Sequence, residues 1–314
     1  MSVAVIGVDL GGTNVRSALV TPAGAILDRR KEPTRASDGW ERVVSQLIGQ
    51  IQVQRERAAG EGLSIAAVGV GAPGVILADR GTVVKSPNFP DWNNLPLKKL
   101  LEDALSIPVV IENDANAAAL GEQWLGAGRD VASMILLTLG TGVGGGIILD
   151  RRIWHGADGM AGEIGHMTLV PDGRPCSCGN RGCLEMYASS RGILRSYEEE
   201  SSSAGLPRAA RPLTSEAVYE AARSGDPVAL RVMKSMGRML GIGLANLINI
   251  FNPERIVIGG GVKDAWPLFI DSAREEILRR AFEAPAKRSG IVPSLLGDDA
   301  GVTGAAAVAL PQGS

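Results

Sequence analysis

Three cysteines and one histidine have types and spacing that point to metal chemistry. Cys176, Cys178 and Cys183 fall within eight residues, no other cysteine occurs in the 314-residue chain, and His166 lies ten residues upstream of the first. Three thiolates and one imidazole complete a tetrahedral Zn²⁺ set, and a zinc with four protein ligands is structural, not an activator of water. Gly179 and Gly182 let the chain bend sharply between ligands. Three free buried thiols are the competing reading, and the Cys-x-Cys-x4-Cys spacing fits it less well. His155, the only other histidine, sits in Trp154-His155-Gly156-Ala157, which reads as an exposed hairpin and not as a ligand.

A second chemistry is phosphate binding. Glycines at strand ends can bring bare backbone N–H groups against an anion. Three segments have this form: Asp9–Arg16 (DLGGTNVR), Gly140–Gly146 (GTGVGGG) and Gly259–Gly261. Thr13 and Thr141 add hydroxyls, and Asp9 stands where a carboxylate can hold Mg²⁺ through water. Tight hairpin turns are the alternative, although five glycines in seven residues exceed what a turn needs. Gly140–Gly145 and Gly69–Gly74 both match GxGxxG, but strand-like sequence follows each. The dinucleotide fingerprint requires a helix there, so it is not met.

Asp114 is the third candidate. Val109–Asn116 runs a strand into an alanine-rich helix, with Asp114 at the junction. An Asp there most often caps the helix. It can instead meet a ligand as a general base, because strand ends in α/β folds line binding sites. From these residues alone the cap is the better reading.

The elements that position these groups alternate between strand and helix, which predicts an α/β architecture. Strands are expected at Val3–Val8, Arg16–Val20, Ala25–Lys31, Ile65–Gly71, Pro108–Ile111, Ser133–Leu139, Ile147–Arg152 and Arg255–Ile258. Helical spacing covers about Trp40–Ile51, with Ser37 or Asp38 as its cap. Further helices fall at about Leu97–Leu105, Ser215–Ser224, Pro227–Phe251 and Val302–Leu310. At an offset of 129, VDLGGTNVRSALV lies over LTLGTGVGGGIIL, a weak repeat of strand, glycine turn and strand that points to duplication.

Composition narrows the classes further. The 32 Lys and Arg against 34 Asp and Glu exclude a generally basic nucleic-acid binder, and Arg208 and Arg211 read as part of a solvated loop. A hydrophobic content of 45% supports a full core, and the length predicts two domains. No apolar run reaches the ~18–20 residues of a membrane span, and MSVAVIGVDLGG does not read as a signal peptide. A cytoplasmic protein with no membrane partner is expected. Glycine, at 41 residues, is in excess and calls for a local cause.

The DLGGTNVR, GAPG (Gly71–Gly74), SPNFPDW (Ser86–Trp92) and ENDANAAALGE (Glu112–Glu122) segments come in order with four more. These are LGTGVGGGI (Leu139–Ile147), AGEIGH (Ala161–His166), CSCGNRGCLE (Cys176–Glu185) and NPERIVIGGG (Asn252–Gly261). Together, from residue 5 to about 308, they resemble the ROK family of sugar kinases, repressors and open reading frames. That resemblance implies the actin-like, ribonuclease-H-like fold: two α/β domains around a cleft. The expected division is residues 1–113, with a C-terminal helix of about 300–314 packing back, and residues 114–299 carrying the zinc loop.

By the same resemblance Asp114 becomes the catalytic base on a sugar hydroxyl. Gly74, Asn88, Asn113, Asp114, Glu163, His166 and Glu185 are the implied sugar contacts. Asp9, Gly11, Gly12, Thr13, Asn14, Arg16, Gly140, Thr141, Gly142, Gly260 and Gly261 are the implied nucleotide contacts. His166, Cys176, Cys178 and Cys183 are the implied zinc ligands, His166 using one ring nitrogen for the metal and the other towards the sugar. The implied activity is ATP-dependent phosphorylation of a hexose 6-hydroxyl, glucose first, with ATP, Mg²⁺ and structural Zn²⁺, in a homodimer or homotetramer. Kinases of N-acetylmannosamine, N-acetylglucosamine or fructose share the motif set, and polyphosphate shares the donor chemistry. A sugar-binding regulator is the reading from another class. The family's repressors carry an N-terminal helix-turn-helix, and eight residues before Asp9 leave no room for one.

Overall fold

The segment Ser2–Leu10 is apolar on consecutive positions, so as a strand it must be covered on both faces. The computed structural model, which describes residues 2–205 and 214–310, shows both covers. Arg208 and Arg211 lie outside the described residues. The first sheet contains β1 (Ser2–Leu10), β2 (Asn14–Val20), β3 (Ile26–Pro33), β4 (Leu63–Ala72) and β8 (Val109–Asn113), in the order β3-β2-β1-β4-β8. Ile6, Val8 and Leu10 join one core cluster with Val43, Leu47 and Ile51 of α1 (Trp40–Gly60) and Leu97 and Leu101 of α2 (Leu97–Leu105). Val5 faces the other way, into a cluster with Val302, Ala306 and Ala309 of α10 (Ala300–Ala309). The strand's period of two divides its side chains between the two helical layers.

Between β4 and β8 lies a small sheet of β5 (Val75–Leu77), β6 (Thr82–Lys85) and β7 (Asn93–Leu95). The stretch 78–95, which carries SPNFPDW, holds the β6 and β7 strands that sequence periodicity does not reveal. The helix α3 (Asp114–Leu125) follows β8 directly. A second large sheet has the order β11-β10-β9-β12-β13, from β9 (Met134–Leu139), β10 (Val143–Leu149), β11 (Arg152–Ile153), β12 (Arg255–Gly259) and β13 (Gly290–Pro293). The remaining helices are α4 (Glu185–Ala188), α5 (Ser190–Ser203), α6 (Ser215–Arg223), α7 (Pro227–Phe251), α8 (Trp266–Arg280) and α9 (Glu283–Arg288).

By compactness the chain forms two units. The first holds Met1–Ala132, Gly146–Gly162 and Leu295–Ser314; the second holds Ser133–Gly145 and Glu163–Ser294. Sequence reading draws the line at residue 113, whereas the first unit also takes in α3. The cause is close packing of α3 on α10: a Cβ on Gly304 would lie 1.6 Å from the Ala117 carbonyl oxygen, and one on Gly121 2.4 Å from that of Ala300. Among the described residues no helix is long and apolar enough to cross a membrane.

Three local expectations change. The helix α1 is not capped by Ser37 or Asp38: its N-cap is Gly39, and the Trp40 N–H donates to Asp91 Oδ2 at 2.7 Å. A distant carboxylate does the work of a local cap, which no local pattern reveals. The turn expected over 140–146 is shorter, because β10 begins at Val143. Gly146 inside that strand answers to packing, since a Cβ there would lie 2.6 Å from Ala119 Cβ and 2.7 Å from the Ala115 carbonyl. His155 is half-buried and paired, not an exposed hairpin residue.

Candidate active site and metal centre

In the first unit, parallel pairing of β4 with β8 aligns Ala72 with Asn113 and so brings GAPG beside ENDAN. Asn113, not Asp114, caps α3. Its Oδ1 accepts from Ala115 N at 2.9 Å and Asn116 N at 3.1 Å, while its Nδ2 donates to the Gly74 carbonyl at 3.1 Å. Asp114 is the first residue of α3, and its Oδ1 accepts from Ala115 N at 2.8 Å. Gly74 has φ +111°, and a Cβ there would meet the Lys85 carbonyl at 2.2 Å, so glycine is required for this approach.

The β1–β2 turn joins the same neighbourhood. A Cβ on Gly12 would lie 2.4 Å from Asn88 Nδ2, so the glycine loop and the SPNF segment touch. Gly11 N donates to the Asn14 carbonyl at 2.9 Å, so this N–H closes the turn instead of facing outward. Arg16 donates to Asp9 Oδ2 at 3.3 Å and to Asp298 Oδ2 at 2.8 Å. Burial raises the Asp9 pKa above its ordinary value, and Arg16 only partly offsets this. A buried carboxylate with an unfavourable charge is complementary to a hard divalent cation.

In the second unit Glu185, at the head of α4, accepts from Val143 N at 2.9 Å. A Cβ on Gly142 would meet the same carboxylate at 2.4 Å, so the β9–β10 turn and the end of the zinc loop are in contact. Gly140 N donates to the Gly142 carbonyl at 3.0 Å and, like Gly11, is spent within its own turn. Gly260 has φ +79° and would place a Cβ 2.3 Å from the Leu139 carbonyl.

The four candidate metal ligands gather as their spacing implies: one donor atom each from His166, Cys176, Cys178 and Cys183 lies within 4.8 Å of the others. His166 Nδ1 is 3.6 Å from Cys176 Sγ, and Cys178 Sγ is 3.7 Å from Cys183 Sγ. A zinc tetrahedron with ordinary bond lengths has S–S edges of about 3.8 Å and N–S edges of about 3.6 Å. Burial, and then the neighbouring sulfurs, push the Cys183 thiol up to about 12. A divalent cation is what turns such a set into thiolates. With Nδ1 turned to the sulfurs, His166 Nε2 stands 3.9 Å from Glu163 Oε2.

The ROK family model matches residues 5–312. The chain belongs to the ROK family. It is 40% identical over 306 residues to a glucokinase of Halalkalibacterium halodurans, covering 95% of this chain and 92% of that one. It is similar also to a xylose repressor of Caldicellulosiruptor bescii, 34% identical over 98% of this chain and 78% of the repressor. Among solved structures, a ROK glucokinase from Streptomyces griseus in complex with glucose and AMPPNP superposes with a TM-score of 0.81. That pair is 37% identical, covering 97% of this chain and 98% of that one.

In this ROK protein, the bonds of Glu112, His155 and Arg174, each within or beside one of the motif segments, escape sequence reasoning. Glu112, buried at the end of β8, meets His155 Nε2 through Oε2 at 2.7 Å. That bond raises the His155 pKa above the ordinary histidine value, against the opposing effect of burial. Arg174, just before Cys176, donates to the Met186 carbonyl at 2.8 Å and to Ser196 Oγ at 3.0 Å and lies over the Tyr187 ring. It ties the zinc loop to α5. Glu112 and Arg174 lie within or beside motifs already singled out, but nothing in their spacing distinguishes them.

Proposed function

We propose that this ROK protein transfers the γ-phosphoryl group of ATP to the 6-hydroxyl of glucose, with Asp114 as the general base. The observation that carries the reading is the full-length likeness to a kinase solved with glucose and AMPPNP, joined to the position of Asp114 at the head of α3. Because Asn113 does the capping, Asp114 is not required as the cap. Phosphoryl transfer depends on positioning and charge stabilisation. Asp114 would orient the hydroxyl and accept its proton, and a base of this kind contributes roughly 10²–10⁴-fold.

Gly74, Asn88, Asn113, Glu163, His166 and Glu185 serve in this reading as the sugar's hydrogen-bond partners. The nucleotide's partners are Asp9, Gly12, Thr13, Asn14, Arg16, Thr141, Gly142, Gly260 and Gly261, with Gly11 and Gly140, whose N–H groups close their own turns, shaping the loops. Mg²⁺ with Asp9 would neutralise charge on the phosphates. Zn²⁺ on His166, Cys176, Cys178 and Cys183 would hold the loop and fix the tautomer of His166, leaving Nε2 for the substrate. The enzyme acts in the cytoplasm, where ATP is made and thiols stay reduced, as a homodimer or homotetramer.

Similarity to a xylose repressor favours one other reading, a sugar-responsive regulator without turnover. Coupled ADP release separates the two when measured over a panel of glucose, fructose, mannose, N-acetylglucosamine and N-acetylmannosamine, with ATP or polyphosphate as donor. The kinase reading expects glucose with ATP to give the highest kcat/KM. No turnover with any sugar supports the regulator.

A further inference from the structure

The base candidate sits on a junction that a buried carboxylate holds from behind. Glu112 is 4% exposed. Its Oε1 accepts from Asn113 N at 2.9 Å and from Asn116 Nδ2 at 3.0 Å, one donor on each side of Asp114. Its Oε2 faces His155 Nε2 at 2.7 Å. A carboxylate accepts only, so Nε2 carries the proton in this pair. His155 comes from a different stretch of chain, the segment after β11 that leads to Glu163, and Ala161 N donates to its carbonyl at 3.1 Å. The histidine thus reaches across from an independent segment to the strand end that presents Asp114.

We infer that His155 is a positioning residue for phosphoryl transfer: bonded to Glu112 Oε2, it holds the β8–α3 junction so that Asp114 meets the sugar hydroxyl in productive geometry. A buried carboxylate that loses one donor must find another, and the freedom nearby lies in the 112–116 backbone that it also binds. A shift of about 1 Å in a catalytic group can lower the rate by up to about 10²-fold. The effect falls mainly on kcat, because Asp114's distance to the reacting proton governs chemistry, whereas most of the proposed sugar contacts (Gly74, Asn88, Glu163, His166 and Glu185) lie outside the 112–116 junction. This inference rests on the reading of Asp114 as the base.

The test uses the full chain with His155→Ala, His155→Gln, Asp114→Asn and the His155→Ala/Asp114→Asn double variant, under steady state with glucose and ATP. His155→Ala is expected to lower kcat about tenfold or more while both KM values stay within about twofold. His155→Gln, whose amide N–H can replace Nε2–H, is expected to restore at least half of the lost kcat. In the Asp114→Asn background, His155→Ala is expected to cause no further loss, because its effect runs through Asp114. Unchanged kcat in His155→Ala overturns the inference. So does an equal fall in both His155 variants, a change confined to KM, or a full further loss in the double variant, each of which marks a merely structural role. Asp114→Asn that retains turnover overturns the base reading instead, whatever the His155 variants do.

Discussion

At the scale of single residues, the polar groups around Asp114 divide the labour. Asn113 caps the helix and reaches Gly74, Glu112 accepts from the Asn113 N–H and the Asn116 side chain, and Asp114, the proposed base, heads the helix. Asp9 shows the tension typical of a functional carboxylate. Its folded pKa lies above the unfolded value, so its ionisation disfavours the fold, and this cost appears as pH rises through the folded value. Asp9→Asn is therefore expected to raise the melting temperature at pH 7, with the gain shrinking towards pH 4. The same change is expected to lower kcat/KM for ATP about 10²-fold through the lost charge complement. Melting curves across pH together with ATP kinetics check both halves. Asp9 and Asp114 were legible as candidates because carboxylates at strand ends of α/β folds can meet ligands, although from the residues alone a helix cap was the better reading of Asp114. The role of Asn113 as the cap was not, since either residue of an Asn-Asp pair can fill that position.

At the scale of elements, the gathering of His166, Cys176, Cys178 and Cys183 is the clearest case of sequence legibility. Residues 168–184 hold little regular structure beyond two isolated bridges, Thr168–Cys183 and Pro175–Arg181. A structural zinc contributes about 10–16 kcal/mol of binding energy, which such a loop cannot draw from a core of its own. Metal analysis is expected to give one zinc per chain, and Cys178→Ser, at an exposed ligand, should lose it together with thermal stability. Metal-free protein of full activity and unchanged melting would remove the site from the account. Other elements were less readable. The cap of α1 comes from Asp91, and the short strands β6 and β7 are too brief for periodicity to reveal. Both depend on contacts distant in sequence.

At the scale of the whole chain, the weak repeat at an offset of 129 becomes a topological one. Each large sheet runs third, second, first, fourth, fifth in its own strand order. Glycine, in excess from the start, has two causes. Some glycines stand at the site segments, such as Gly12 and Gly74, and others let layers pack flush, such as Gly69 and Gly304. Gly304→Ala is expected to destabilise by about 1–3 kcal/mol, because its Cβ would overlap the Ala117 carbonyl. Chemical unfolding reads this directly. The second cause is legible at Gly304, in an alanine-rich helix suited to close packing, but not at Gly69, whose strand gives no such sign.

The central claim, that Asp114 is the base of a glucose-phosphorylating ATP-dependent kinase, is tested most directly by Asp114→Asn. ADP release with glucose and calorimetric glucose binding are measured on the same preparation. The expected result is a fall in kcat of roughly 10²–10⁴-fold with glucose affinity within a few-fold of the unsubstituted protein. A variant that binds glucose normally and turns over within threefold of the parent rate would contradict it.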